Sequence, residues 1–371
     1  MSASLQPFKL GVIGCGRVFR GPYLSLIQQL RLRGQLDQIV TCDANPDVGE
    51  LVRDTPGVVS FTTDHREIVE DPSVDIVMVL TSMPEHGPLA KDALEAGKHV
   101  LVEKPMAITL SEAAELVELA KRSPGHLVCA PFVILSPTFQ AMWRHVTAGD
   151  IGRPTLARGR YGWAGPDWGP WFYQAGGGPL FDLGVYNITA LTGLLGPVRR
   201  VSAFTGKVHE QRMVDGKLID VETPDNFQIL LDFGNSVFAT VTTGFSIQQY
   251  RSPALEIYGT EGTIQMLGDD WAPEGYELWR NSAGSWQLFG AYPWPWTAGL
   301  QHLVESLRAG TKPLVAPEHA YHVLEVMLAA IASGEDGRHH EVHSTFPPLS
   351  FGDGETSREA AHRVHDRTHA S

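Results

Sequence analysis

The feature that most constrains the fold is FKLGVIGCGRVF, Phe8 to Phe19, where a short apolar run ends in two glycines spaced by one residue. A strand that stops at such a pair and turns into a helix aims backbone amides at the place where a dinucleotide pyrophosphate binds. Gly14, Gly16, Arg17, Val18 and Phe19 are therefore the expected cofactor contacts of this turn. A complete fingerprint carries Gly or Ala at the third position, where this chain has Phe19. Asp43 closes the next apolar run, QIVTCD, in position to accept hydrogen bonds from an adenosine ribose. No Arg or Lys stands between Thr41 and Glu50 to receive a 2′-phosphate, which favours NAD; Arg17 and Arg20 keep NADP open.

Up to Pro131 the β-rich runs FKLGVIG, QIVTCD, DIVMVLTS, HVLVEKP and HLVCAP alternate with helix-period segments, the pattern of a parallel sheet with crossover helices. Pro84 to Ala96 reads as a helix, and Thr109 with Glu112 as a capping box before the next one. Beyond Pro137, strand-like VRRVSAFTG, NFQILLDFG, VFATVTTGF and ALEIYGT follow one another across turn-sized gaps, the order of a mainly antiparallel sheet. QHLVESLRAG and HAYHVLEVMLAAIAS have helical spacing.

The net charge of −13 disfavours a nucleic-acid partner. No apolar run approaches the roughly 20 residues of a membrane span, and the opening residues lack signal-peptide character, so a cytoplasmic protein is expected. Cys15, Cys42 and Cys129 lie far apart and form no zinc or disulfide pattern. His339, His340 and His343 follow a glycine-rich turn near the polar tail and lack ordered acidic company, and no metal is expected.

Thr81, His86 and the stretch AGKHVLVEKP, Ala96 to Pro105, resemble the glucose-fructose oxidoreductase and inositol dehydrogenase (Gfo/Idh/MocA) family, with Ser82 and Met83 in place of that family's Pro and Asn. GGGPLFDLGVYN, Gly176 to Asn187, is similar to a second family block, with Tyr186 where most members have His and Thr189 at a further family aspartate. The resemblance runs from residue 8 to about 335 and implies a fold: an N-terminal Rossmann domain (1–131), a C-terminal α/β domain with a large, mostly antiparallel open sheet (132–335), and a polar tail (336–371). It also implies that Thr81, Ser82, His86, Glu103 and Lys104 line the cofactor site and that Lys104 points at substrate. Tyr186 then marks a subgroup with Tyr as the catalytic residue. A homodimer or homotetramer is implied as well.

Oxidising a secondary alcohol needs a base for the hydroxyl proton while hydride leaves for the nicotinamide. Tyrosine starts near pKa 10, and an ammonium such as Lys104 together with the positive ring favours tyrosinate. Tyr186 is thus expected as acid/base, Lys104 as electrostatic partner and hydroxyl donor, and Asp182 as substrate-hydroxyl acceptor. Trp163, Trp171 and Tyr173 lie in an aromatic, glycine-rich segment whose flat rings suit the apolar face of a sugar. Each has a plain structural alternative: a salt-bridged strand end for Lys104, a buried phenol for Tyr186, a helix cap for Asp182, an exposed histidine for His86, loop packing for the aromatics. The expected function is NAD(P)-dependent hydride transfer with a sugar, sugar derivative or cyclic diol. An NAD-dependent glycosidase of the same fold and a non-catalytic NAD(H)-binding regulator are the alternatives.

Overall fold

The computed structural model describes residues 6–351. These form two compact units: one from Phe132 and the residues before it with Thr297–Leu324, the other from Val133–Trp296 with Glu325 and the residues after it. The expected tail from residue 352 onward lies outside the described residues.

The first unit holds a six-stranded sheet of β1 (Phe8–Ile13), β2 (Leu36–Cys42), β3 (Val58–Thr62), β4 (Ile76–Val79), β5 (His99–Val102) and β6 (Leu127–Cys129), in the order β3-β2-β1-β4-β5-β6. All five pairings are parallel. Parallel strands covered on both faces read as unbroken apolar runs, and Ile76, Val77, Met78 and Val79 are fully buried. The edge strand β3 is half exposed, so VVSFT carries no such run and is missing from the expected strands. The connecting helices are α1 (Leu24–Leu32), α2 (Val48–Val52), α3 (Arg66–Val69), α4 (His86–Glu95) and α5 (Leu110–Arg122). Thr109 Oγ1 accepts from Glu112 N at 3.3 Å, the N-cap expected for α5. The order reverses between β1 and β4, the switch point at which such sheets bind ligands beyond their strand ends.

In the second unit α6 (Pro137–Thr147) and α7 (Val185–Leu195) pack on one face of a nine-stranded sheet. Its strands in chain order are β7 (Pro154–Gly162), β8 (Arg200–Gly206), then β9 (Gln211–Val214) and β10 (Lys217–Asp220), which form a separate hairpin, β11 (Asn226–Gly234), β12 (Val237–Gly244), β13 (Leu255–Gly259), β14 (Gly262–Asp269), β15 (Ala272–Arg280), β16 (Ser285–Gly290) and β17 (His340–Glu341). The order is β16-β15-β14-β13-β7-β12-β11-β8-β17, antiparallel except where β7 meets β12. β7 escapes an apolar-run reading because Leu156, Arg158 and Arg160 alternate with the inward Ala157 and Gly159. The chain stays packed through Phe351, whose ring meets Phe139 and Trp143 edge-on.

Candidate active site

The first unit gathers its candidate groups just beyond the ends of β1, β2, β4 and β5. Gly14 has φ +93°, and a Cβ there would lie 2.6 Å from the Leu80 carbonyl carbon, so no other residue fits this turn. At Gly16 the opposite holds: a Cβ would meet nothing within 4 Å, and the loop backbone stands open to a close ligand. Asp43 is anchored to this loop by accepting from Cys15 N at 2.9 Å through Oδ2, while Oδ1 accepts from Asn45 N at 3.0 Å. A carboxylate has lone pairs beyond these two and can still accept from ribose hydroxyls. Phe19, at the position of the fingerprint's third glycine, is fully buried and opens a π-helical turn, Phe19–Tyr23. Burial and the charge of Asp43 push the Cys15 thiol up to about 12, so it stays protonated beside the loop.

Glu103 is buried, and its carboxylate takes the Tyr23 hydroxyl at 2.7 Å on one oxygen and the Lys104 backbone N–H at 3.2 Å on the other. It therefore fixes the Lys104–Pro105 corner, which is cis, to the helix that follows the glycine turn. His86 is buried as well, with Nδ1 2.7 Å from the Pro105 carbonyl and Nε2 3.1 Å from the Thr81 carbonyl. The ring ties the loop after β4 to the loop after β5, and burial holds its pKa below the usual range. His86 is thus not the exposed histidine of the plain alternative. Glu103 and His86 brace this edge from behind, whereas Thr81, Ser82 and Lys104 retain partial exposure.

In the second unit Asp182 lies in a π-helical turn, Leu180–Gly184, that runs directly into α7, placing Tyr186 one turn later. Tyr186 is 92% buried, and its ring meets Tyr161 of β7 edge to face at 5.8 Å. The Tyr161 phenol is pushed up first by burial, with the charges of Asp182 and Asp269 adding to it, which keeps it a neutral hydroxyl. Thr189 donates to the Val185 carbonyl at 2.7 Å within the helix. Gly177 is forced by packing: a Cβ there would lie 2.2 Å from the Trp171 carbonyl oxygen.

The aromatic segment is held by an excursion, residues 207 to 225, that sequence reasoning did not single out. Arg212 of β9 donates to the Ala164 carbonyl at 2.5 Å and the Phe245 carbonyl at 2.6 Å, stands over the Tyr173 ring, and faces buried Asp225 at 3.8 Å. Tyr173 is fully buried and donates to the Pro166 carbonyl at 2.7 Å. Asp215 accepts from Gly169 N, and Glu222 N donates to the Tyr173 carbonyl. Within this frame Trp163 and Trp171 remain 41% and 37% exposed, while Tyr173 is a strut.

Residues 8–129 match the oxidoreductase family with an NAD-binding Rossmann fold, and residues 139–265 match the GFO/IDH/MocA C-terminal domain, the two together spanning more than half of the chain. The chain belongs to the Gfo/Idh/MocA oxidoreductase family. Among its relatives, trans-1,2-dihydrobenzene-1,2-diol dehydrogenase of Mus musculus is 30% identical over 56% of this chain, a stretch that spans 60% of the mouse enzyme. D-apiose dehydrogenase of Paraburkholderia graminis is 26% identical over 92% of each chain. A structure of levoglucosan dehydrogenase in complex with NADH and levoglucosan superposes with TM-score 0.80 at 22% identity, covering 91% of this chain and 100% of that one. As a Gfo/Idh/MocA member the chain takes NAD(H) in its first unit, and the glycine turn with its open flank and tethered Asp43 suits that cofactor. Among the described residues no helix is long and apolar enough to cross a membrane. No group of three or more metal-ligating side chains is gathered among them either.

Proposed function

We propose that this protein is an NAD-dependent dehydrogenase that moves a hydride between nicotinamide and a secondary hydroxyl or ketone of a sugar, sugar derivative or cyclic diol. The observation that carries the reading is the set of groups beyond β1, β2, β4 and β5: the open glycine turn, Asp43 bound to it, and Lys104 on a corner braced by Glu103 and His86. The family relatives named as diol, apiose and levoglucosan dehydrogenases support the substrate class.

The nicotinamide, when bound, accepts or returns the hydride. Tyr186 takes the hydroxyl proton in oxidation and gives it back in reduction, in the role that His fills in most members. The Lys104 ammonium donates a hydrogen bond to the reacting oxygen. Asp182 accepts from a neighbouring substrate hydroxyl, and Trp163 and Trp171 offer flat apolar faces to the ring. Arg17, Val18, Thr81 and Ser82 complete the cofactor contacts.

The face of the nine-stranded sheet opposite α6 and α7 exposes Leu156, Phe204, Leu230, Phe238, Trp286 and Leu288. So broad an apolar surface calls for a partner, and the reading includes a homodimer or homotetramer closed through it. Sedimentation of the wild type against Phe238→Asp tests this, a monomeric wild type counting against it.

The function is tested by titrating NADH and NADPH into wild type and Asp43→Ala, followed by a sugar and diol panel read at the nicotinamide absorbance. Tighter NADH binding that weakens about 10- to 100-fold without Asp43, with turnover on at least one polyol, is expected. Binding without turnover would favour the regulator, and glycoside cleavage without net NADH the glycosidase.

A further inference from the structure

The turn joining β14 to β15 carries Asp270, which is completely buried, as is Asn187 on α7 immediately after Tyr186. Asn187 Nδ2 donates to Asp270 Oδ2 at 2.6 Å. The other oxygen of each group, Asn187 Oδ1 and Asp270 Oδ1, is also buried and has no hydrogen-bond partner. Two groups already bonded to each other therefore retain one orphan acceptor apiece, an arrangement that a folded interior ordinarily avoids. A single proton resolves both: a carboxylic acid and a primary amide are complementary, each giving one N–H or O–H and one carbonyl oxygen.

We propose that Asp270 is a neutral carboxylic acid whose O–H donates to Asn187 Oδ1, closing an acid–amide pair that positions the first turn of α7 and with it Tyr186. The surroundings agree. Asp269 lies next in the chain, held by the Tyr250 hydroxyl at 2.6 Å, and disfavours a second negative charge. Tyr161 faces the same cluster with Asp182, and its phenol stays uncharged. Complete burial raises the carboxyl of Asp270 well above the ordinary range, outweighing the Asn187 amide and the backbone N–H groups of Asp270 and Trp271, which pull it down. Asn187 packs closely on β7, where Gly159 leaves room for it: a Cβ at that glycine would lie 2.9 Å from the Asn187 Cβ. A neutral Asp270 also keeps one negative charge out of the cluster in which Tyr186 must ionise to act as a base, so the pair serves the chemistry as well as the packing.

The positioning role rests on the proposed function; the protonation does not, and two measurements keep them apart. Infrared difference spectroscopy of wild type minus Asp270→Asn near neutral pH should contain the carbonyl stretch of a protonated acid. Its absence, with an ionised-carboxylate band in its place, would overturn the protonation, as would be found if a buried water satisfied both acceptors. In kinetics, Asp270→Ala should lower kcat about tenfold and shift the pH profile, and Asp270→Asn, which rebuilds both hydrogen bonds as an amide pair, should restore the profile. Failure of Asp270→Asn to restore it would overturn the positioning role even where the infrared band is present. Should Tyr186→Phe prove fully active, the functional reading falls while the infrared result still decides the protonation of Asp270.

Discussion

The two units are built to different plans. In the first, every candidate group stands within a few residues of the end of a parallel strand, so neighbouring strands deliver Gly14, Asp43, Thr81 and Lys104 to one edge of one sheet. In the second, the groups arrive from a π-helical turn, a helix, a hairpin outside the sheet and a two-residue turn, with Arg212 and Asp270 reaching segments about 50 to 80 residues away. The first plan is a frame that any dinucleotide can use. The second is held by long-range ties, and under the proposed function it is there that substrate specificity would be set.

If this division is right, substitutions should separate by unit as well as by size. The largest effects belong to Lys104 and Tyr186, the proposed catalytic pair; for Lys104→Ala kcat is expected to fall about 10³-fold, and stopped-flow NADH formation measures it. Combined with Tyr186→Phe it should fall much less than the product of the single losses, since both residues serve one proton-and-hydride event; strict additivity would assign them to separate steps. Next comes Arg212→Ala, predicted to raise KM for ring substrates about tenfold through the loosened Trp163–Trp171 frame while NADH affinity holds. Lys at this position should not rescue, because two carbonyls and a ring face need the planar fork. A change in NADH affinity would break the division between the units.

Smaller effects are expected behind the cofactor edge. Tyr23→Phe leaves Glu103 short of a buried donor, which should cost about 1–3 kcal/mol of stability in denaturant unfolding and weaken NADH binding without altering sugar KM. The smallest effect near neutrality, where it vanishes, concerns pH. His319, buried beside His322, is held down to about 3 from an unfolded value of 6.5, so its contribution is complete above pH 6.5 and is lost as pH falls toward 3. His319→Gln should flatten the fall of Tm over that window; an unchanged slope would assign the acid sensitivity elsewhere.

The same division explains what was legible in the sequence. Alternating apolar runs and the Gly14 turn announce the parallel sheet, because burial on both faces leaves its mark on consecutive residues. Asp43 and Lys104 are readable for the same reason, one residue or two past such a run. The edge strand β3 and the strands β7, β14, β15 and β16 leave weaker marks, since half-exposed strands mix Arg, Gln and Glu with apolar residues. Nothing local announces that Tyr23 meets Glu103 or that Arg212 meets Ala164. Those partnerships are made by topology, and an isolated Arg on a short polar strand looks like any solvated cation. The aromatic crowding was visible, but its division into exposed Trp163 and Trp171 and buried Tyr173 depends on the excursion that props the loop. Asp270 and Asn187 give no sign, because an Asp pair in a tight turn is ordinarily at the surface.

The most direct test of the account follows net NADH at the nicotinamide absorbance, with NAD and the best substrate of the sugar and diol panel, for wild type and Tyr186→Phe side by side. In the wild type NADH should accumulate in step with a carbonyl product, and the variant should lose about 10²- to 10⁴-fold in kcat with unchanged NADH affinity. A variant that turns over at the wild-type rate, or a wild type that consumes substrate without net NADH, would contradict it.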